Sequence, residues 1–445
     1  MVPDLQARLQ AVVTGGLSGD GSLGFNGPGT LTLSGSNSYS GGTNVNAGTL
    51  ALNHASALGT SGTIAFGGGT LRFSASNTAD YSARFSTDAN QQYRLDTDGQ
   101  GVTLATALVS PGGSLTKLGT GTLALTAANT FTGSTRAGAG TLAVNHGLAL
   151  QNSTLDMNAS DTGSVTFAQD TTLGGLSGSR NLDLQTRNLA VGRNNGSTTY
   201  SGSLSNGSLA KQGTGTLTLS GSHSYSGPTV VEAGTLVVSG TIANSAVTVQ
   251  SGGVLAGNGF LGSGLSVSGT LSPGSSPGTI TTTSLTLTGS ATTVMEIVGV
   301  TSGTQSLPGT AGTDYDALVV QTAGGLTYGG ALSIGFSNTN PFATGTTFDL
   351  FHFTGVPTAD FASIASAGSG VYANLSFSKH ADGTWYSPDT AGGQYLRFFH
   401  STGDLVVVPE PATWVTAALG VGIALAARRR HVSRKRATAS AEAAA

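Results

Sequence analysis

Three stretches of the chain share one internal spacing: GTLTLSGSNSYSGGTNVNAGTLAL (29–52), GTLALTAANTFTGSTRAGAGTLAV (121–144) and GTLTLSGSHSYSGPTVVEAGTLVV (215–238). In each, one Gly-Thr-Leu follows another after 19 residues: Thr30 to Thr49, Thr122 to Thr141, Thr216 to Thr235. An aromatic keeps its place between them as Tyr39, Phe131 and Tyr225, and the copies recur 92 and 94 residues apart. Such fixed spacing marks a structural repeat. Each half reads as a strand, because Thr30-Leu31-Thr32-Leu33 alternates polar and apolar residues between Gly, Ser and Asn turns. A strand this short cannot cover its own apolar edge. Stacking strands 19 residues apart in parallel sets Leu31 by Leu50, Leu123 by Leu142 and Leu217 by Leu236, with Gly29 and Gly48 at the corners. The expected fold is all-β: a right-handed parallel β-helix, or solenoid, with these leucines as an interior ladder.

Composition supports a long, turn-rich architecture. The 445 residues include 69 glycines and only 9% charged side chains, against about 25% charged and roughly 7% Gly in ordinary globular domains. Glycine has no strict triplet period, which excludes collagen, and the mean hydropathy is slightly positive, which excludes charge-driven disorder. There is no cysteine, hence no disulfide and no thiolate metal site. Residues 1–408 hold 12 basic and 19 acidic side chains, a net charge of −7, so the body offers no basic stripe to a nucleic acid.

Aromatics divide the chain. Residues 1–300 contain 12 and residues 301–405 contain 15. Phe348, Phe351, Phe353, Phe361, Trp385, Tyr386, Phe398 and Phe399 suggest a compact β cap packed by rings, which a solenoid needs because its last rung exposes an unpaired edge. The expected organisation is an N-terminal segment (1–19), a solenoid (20–300), terminal rungs with a cap (301–405), a tail (406–436) and a disordered end (437–445).

Several motifs suggest chemistry and have plainer readings. Gly19–Gly24 and Gly257–Gly262 match GxGxxG, but no helical pattern follows to aim amides at a phosphate. Gly274-Ser-Ser-Pro-Gly278 matches GxSxG around Ser276, yet Pro277 and a strand-like TITTT follow, which suits a turn between rungs. Asp96-Thr-Asp-Gly99 is half of a calcium loop. His54 and His146 both follow Asn, lie 92 residues apart and are expected at equivalent turns, not on a metal. The enzymatic candidate is the patch Asp156, Asp161, Asp170 and Asp183 with Arg180, Arg187 and Arg193. A polysaccharide lyase on a β-helix needs carboxylates for calcium or substrate acid groups and a base, and Asp161 to Asp183 spans 22 residues, near one rung. No acid triad recurs at rung spacing, so a solvated lateral loop is the favoured reading. No catalytic residue, cofactor or metal ion is expected.

The tail is a different object. Pro409-Glu410-Pro411 locks φ twice and fixes the acid between, with no core expected to pack against it. Residues 412–427 carry no charge, and as a helix they would span about 24 Å, somewhat short of a hydrocarbon core of about 30 Å. Arg428, Arg429, Arg430, Arg434, Lys435 and Arg436 follow, which favours a transmembrane helix over 412–427 with a cytoplasmic C-terminus.

The pattern Gly-Thr-Gly-Thr-Leu…Tyr-Ser-Gly…Ala-Gly-Thr-Leu resembles the autotransporter-associated β-strand repeat of bacterial passenger domains. Ser251–Gly262, Gly269–Thr279 and Asp314-Tyr-Asp-Ala-Leu-Val-Val320 are similar to the last rungs of such passengers. No barrel-length segment follows in these 445 residues, a departure from classical autotransporters. The tail, in the order Pro-Glu-Pro, apolar helix, arginine cluster, resembles the PEP-CTERM sorting signal of Gram-negative bacteria. That resemblance implies an exosortase-type membrane protease as partner, with Pro409, Glu410 and Pro411 as the processing motif and residues 428–436 as the cytoplasmic basic stop. It also implies an inner-membrane stage, then a surface or extracellular-matrix location beside exopolysaccharide or other surface proteins. The opening MVPDLQARLQAVVTGG lacks a signal peptide, so one is expected upstream of residue 1. The expected function is a non-enzymatic exported structural protein; the alternatives are a carbohydrate-active β-helix enzyme and a glycan-binding adhesin.

Overall fold

A computed structural model describes residues 10–274, 277–299, 310–338, 340–390 and 393–409. Among them the regular structure is strand throughout, apart from one 3-10 turn at Ser82–Arg84. From Gln10 to Gly368 the strands of successive coils pair in parallel, as a solenoid requires. The three expected leucine pairs stand directly opposite one another: Leu31 with Leu50, Leu123 with Leu142 and Leu217 with Leu236. The third pair extends into a column of Leu217, Leu236, Leu255 and Leu271, each at most 1% exposed. Burying each such side chain contributes about 1.5–3 kcal/mol. Leu31, in an early coil, is only partly buried.

The corners follow from glycine where the backbone demands it. Gly48 has φ +57°, and a Cβ there would lie 2.4 Å from the Gly29 carbonyl oxygen of the preceding coil. Gly140 and Gly234, at the same place in the other copies, both have φ +64°. Gly29 itself does not adopt a positive φ. The repeats also share side-chain wiring. The Tyr39 hydroxyl meets Thr43 Oγ1 at 2.8 Å and the Tyr225 hydroxyl meets Thr229 Oγ1 at 2.6 Å. Phe131 has no hydroxyl, and there Thr135 keeps only a serine contact, Ser153 at 2.8 Å, which Thr229 also makes with Ser245 at 2.8 Å.

Near the C-terminal end the pairing changes. Thr347–Asp349, Asp404–Pro409, Gln394–Phe399, Thr384–Tyr386 and Ser378–Lys379 form a five-stranded antiparallel sheet. Phe348, Phe351, Phe361, Trp385 and Phe398 are buried, as their clustering suggests. Tyr386 and Phe399 are not: on the pleated strands they fall on the half-exposed face, beside Tyr395 and Arg397, while Leu396 and Phe398 point inward. The expected tail boundary at residue 406 also needs correction. Val406 to Pro409 belong to a paired strand, with Val407 fully buried and Pro409 opposite Gln394. Leu405 and Val407 alternate inward, so the sheet claims these residues up to the proline, where a missing N–H costs least at a strand end.

Candidate functional site

The acidic residues chosen from the sequence are spent on the solenoid's own turns. Asp161 follows the strand Leu150–Met157 and takes two bonds from Arg136, Nε at 3.0 Å and Nη2 at 2.6 Å. Asp156 lies 3.9 Å from the same guanidinium. Asp170 accepts the Asn188 amide at 2.9 Å. Asp183 accepts the Gln185 amide and the Asn206 side chain, both at 2.8 Å, and sits on a different, two-stranded sheet. Arg180 donates to the carbonyls of Ala137 and Gly163. Among the described residues, the Arg187 and Arg193 side chains form no ion pair with these acids. The patch therefore resolves into separate turn contacts. Its principal cation is Arg136, which the sequence reading missed although Arg136 and Asp161 are about one coil apart in number.

The other motifs settle in the same way. Asp96 Oδ1 accepts the Asp98 amide at 2.9 Å, and Asp98 and Gly99 take positive φ, making a tight polar turn. His54 and His146 have matching bonds: each ring Nδ1 accepts the amide two residues on, Ser56 at 3.0 Å and Leu148 at 3.1 Å. Strands, not helices, overlap both GxGxxG matches, at Leu23–Phe25 and Phe260–Leu261, and the next elements, Thr30–Leu33 and Leu265–Val267, are strands too; Thr279–Thr282 is a strand after the GxSxG match. Ser276 lies outside the described residues. Among the described residues no group of three or more His, Asp or Glu side chains is placed to hold a metal ion.

Two arrangements escaped the sequence reading. Lys117 and Lys211 are fully buried, and each ammonium donates to three backbone carbonyls: Leu118, Gly119 and Ala139 in one, Gln212, Gly213 and Ala233 in the other. Burial pushes the Lys117 pKa down to about 8, against the pull of Asp96, and lowers that of Lys211. The signal was present: each lysine stands five residues before the first repeat threonine, where the first copy has Phe25. The second is a side cleft of about 410 Å³ lined by Glu296, Asp316, Met295 and Phe336. Asp316 Oδ1 accepts the Gly278 amide at 2.7 Å and Oδ2 the Glu296 amide at 2.8 Å. Burial nevertheless pushes its pKa up to about 6. The Ser337 hydroxyl donates to Glu296 Oε1 at 2.8 Å.

Of the residues expected to form a sorting signal, Pro409 ends the last strand. Glu410, Pro411, the apolar segment 412–427 and Arg428, Arg429, Arg430, Arg434, Lys435 and Arg436 lie outside the described residues. Among those described, no helix is long and apolar enough to cross a membrane.

Residues 26–52, 115–144 and 209–238 match the passenger-associated-transport-repeat family. No curated protein matches the chain. The three matched segments are the three copies read from the glycine-threonine-leucine spacing, and all three lie in the parallel stack. The chain is thus a repeat β-solenoid that carries three passenger-associated transport repeats and resembles an autotransporter passenger domain.

Proposed function

We propose that this chain is a non-enzymatic structural protein of the cell surface or extracellular matrix. The observation that carries the reading is the coincidence of the three transport-repeat matches with three equivalent segments of one parallel solenoid. The carboxylates best placed in sequence for catalysis are engaged by turns, which favours a shaft over an enzyme. The antiparallel strands act as its cap: Phe377 N–H bonds to the carbonyl of Ile364 on the last parallel strand, and Phe351 N–H bonds to Gly403. The tail sequence supports a route in which 412–427 holds the body at the inner membrane, residues 428–436 stay cytoplasmic, and an exosortase-type protease acts at Pro409–Pro411.

Two experiments test this. Incubation of the purified body with acidic polysaccharides should leave them intact; reproducible cleavage lost in Asp183→Ala would overturn the structural reading. In an exosortase-bearing host, the mature protein released from cells should lack residues 412–445, and a Glu410→Ala/Pro411→Ala variant, which spares the strand ending at Pro409, should stay unprocessed. Released protein with an intact tail would refute the sorting role. The adhesin reading has its own observation: Tyr386, Tyr395 and Phe399 lie half-exposed on one sheet face, with the Arg397 guanidinium 4.8 Å and 4.3 Å from the first and last rings. Retention on a glycan column that is lost in Tyr386→Ala/Tyr395→Ala would favour it.

A further inference from the structure

The three repeats differ at one interior position, seven residues after the first repeat threonine: Asn37, Asn129 and His223. In the first two copies the side chain clamps consecutive coils. Oδ1 accepts the amide of Leu17 at 2.7 Å or Leu108 at 2.8 Å, and Nδ2 donates to the carbonyl of Ala57 at 2.6 Å or Ala149 at 2.9 Å. His223 makes only the first half of the clamp. Its Nδ1 accepts the Leu204 amide at 3.1 Å, and its buried Nε2 meets no partner among the described residues. Since Nδ1 accepts from an N–H, the ring is neutral with its proton on Nε2, a donor left unsatisfied.

The surroundings offer nothing to a charge. His223 is 1% exposed, in register with Ile242, which pairs onward with Leu261. Leu204, in the coil before it, pairs with Leu182. The titratable groups that face the ring are the phenols of Tyr200 and Tyr225, whose ring centres lie 6.2 Å and 6.3 Å away. Both are kept neutral by burial; Tyr200 donates to the Arg180 and Ser203 carbonyls, and Tyr225 pairs with Thr229. No carboxylate contributes to the histidine's environment, where burial alone acts.

We propose that His223 makes the third repeat an acid-sensitive joint: protonation turns Nδ1 into a donor facing the Leu204 N–H, breaks the only bond of the clamp and loosens the stack there, while Asn37 and Asn129 hold the first two repeats closed. Burial holds the ring's pKa down to about 4, below the ordinary value of about 6.5. The unfolded or opened form therefore binds a proton first. Stability is fully present above about pH 6.5 and is lost as the pH falls toward about 4.

The test uses the full chain, its Asn variant His223→Asn and the transplant Asn129→His. Denaturant unfolding and amide-exchange protection are followed from pH 7 to pH 4. The wild-type opening constant should rise on the order of a hundredfold more than that of His223→Asn across this window. Protection of the Leu204 and Ala243 amides, the latter bonded to the His223 carbonyl, should fall with acid in the wild type alone. Asn129→His should create a second acid-labile point at the Leu108 amide. An unchanged acid slope in His223→Asn, or no new lability in Asn129→His, would overturn the proposal; the transplant decides it alone where His223→Asn does not fold.

Discussion

Between Gln10 and Ile297 the interior is built mainly of columns of Leu and Val, whereas the region around the antiparallel sheet fills its interior mostly with rings. Smaller ring groups are set among the columns at Phe66, Phe85, Tyr93 and Phe131 and at Tyr200 and Tyr225. In the stack, Leu217 has Leu236 directly opposite, Leu255 beyond it and Leu271 beyond that. At the other end, Tyr328 has the ring centres of Phe361, Phe351, Phe398 and Phe353 at 4.8, 5.2, 6.2 and 6.4 Å, and Phe342 packs on Phe348 at 5.1 Å. The difference teaches how each region meets its own edge. Within such a column a repeating coil gives a leucine a like neighbour on each side, as Leu236 has Leu217 and Leu255, and the column ends at threonines, Thr198 beside Leu217 and Thr293 beside Leu271. Where coiling stops, no next coil arrives. Beyond the last parallel strand, the antiparallel strands and their large rings pack together.

The comparison breaks most sharply at a column. Leu217→Asp places an unpaired charge inside the coil and should cost several kcal/mol, read as loss of cooperative urea unfolding. Wild-type stability in that variant would remove the interior ladder. Phe398→Ala should cost about 3–5 kcal/mol, with exchange protection lost across 347–409 and kept in the Leu31–Leu50 coils. Equal loss in both places would show one cooperative unit instead of two solutions.

Lys117→Met and Lys211→Met sharpen the account of the stack itself. Each strands three carbonyls and should cost about 1–3 kcal/mol in a denaturant midpoint. The pH dependence has a definite sign. Lys117 has its folded pKa lowered to about 8, below the ordinary value of about 10.4, so between these values the unfolded chain binds the extra proton. Wild-type stability should therefore rise relative to Lys117→Met as pH climbs through that window. The smallest effect belongs to the lateral turn. Asp161→Asn removes a pair whose arginine is one-third exposed, and should cost under about 1 kcal/mol, less in high salt.

The coil was legible because its signal is periodic. A 19-residue spacing of Gly-Thr-Leu fixes which leucines face each other once strands stack, and the 92-residue interval of His54 and His146 fixes their equivalence. The charged patch was legible only as composition. Spacing brought Asp161 and Asp183 to similar places in successive coils, but the two acids bond to different turns, and Arg136 had no motif to announce it. The inward or outward sense of Tyr386 and Phe399 was equally hidden, since it depends on the pleat and register of an irregular sheet.

By itself, then, the sequence determined the parallel stack, its leucine ladder, its three repeats and the change of character in the aromatic region, because each is a local pattern repeated often enough to outweigh accident. Tertiary structure alone decided which polar side chains the stack consumes. Lys117 and Lys211 reach carbonyls of the next coil, Asp316 reaches amides 38 and 20 residues away, and His223 loses a partner that Asn37 and Asn129 keep. Such bonds depend on where a coil above or below places one backbone group within about 3 Å, and no single strand of the sequence carries that information.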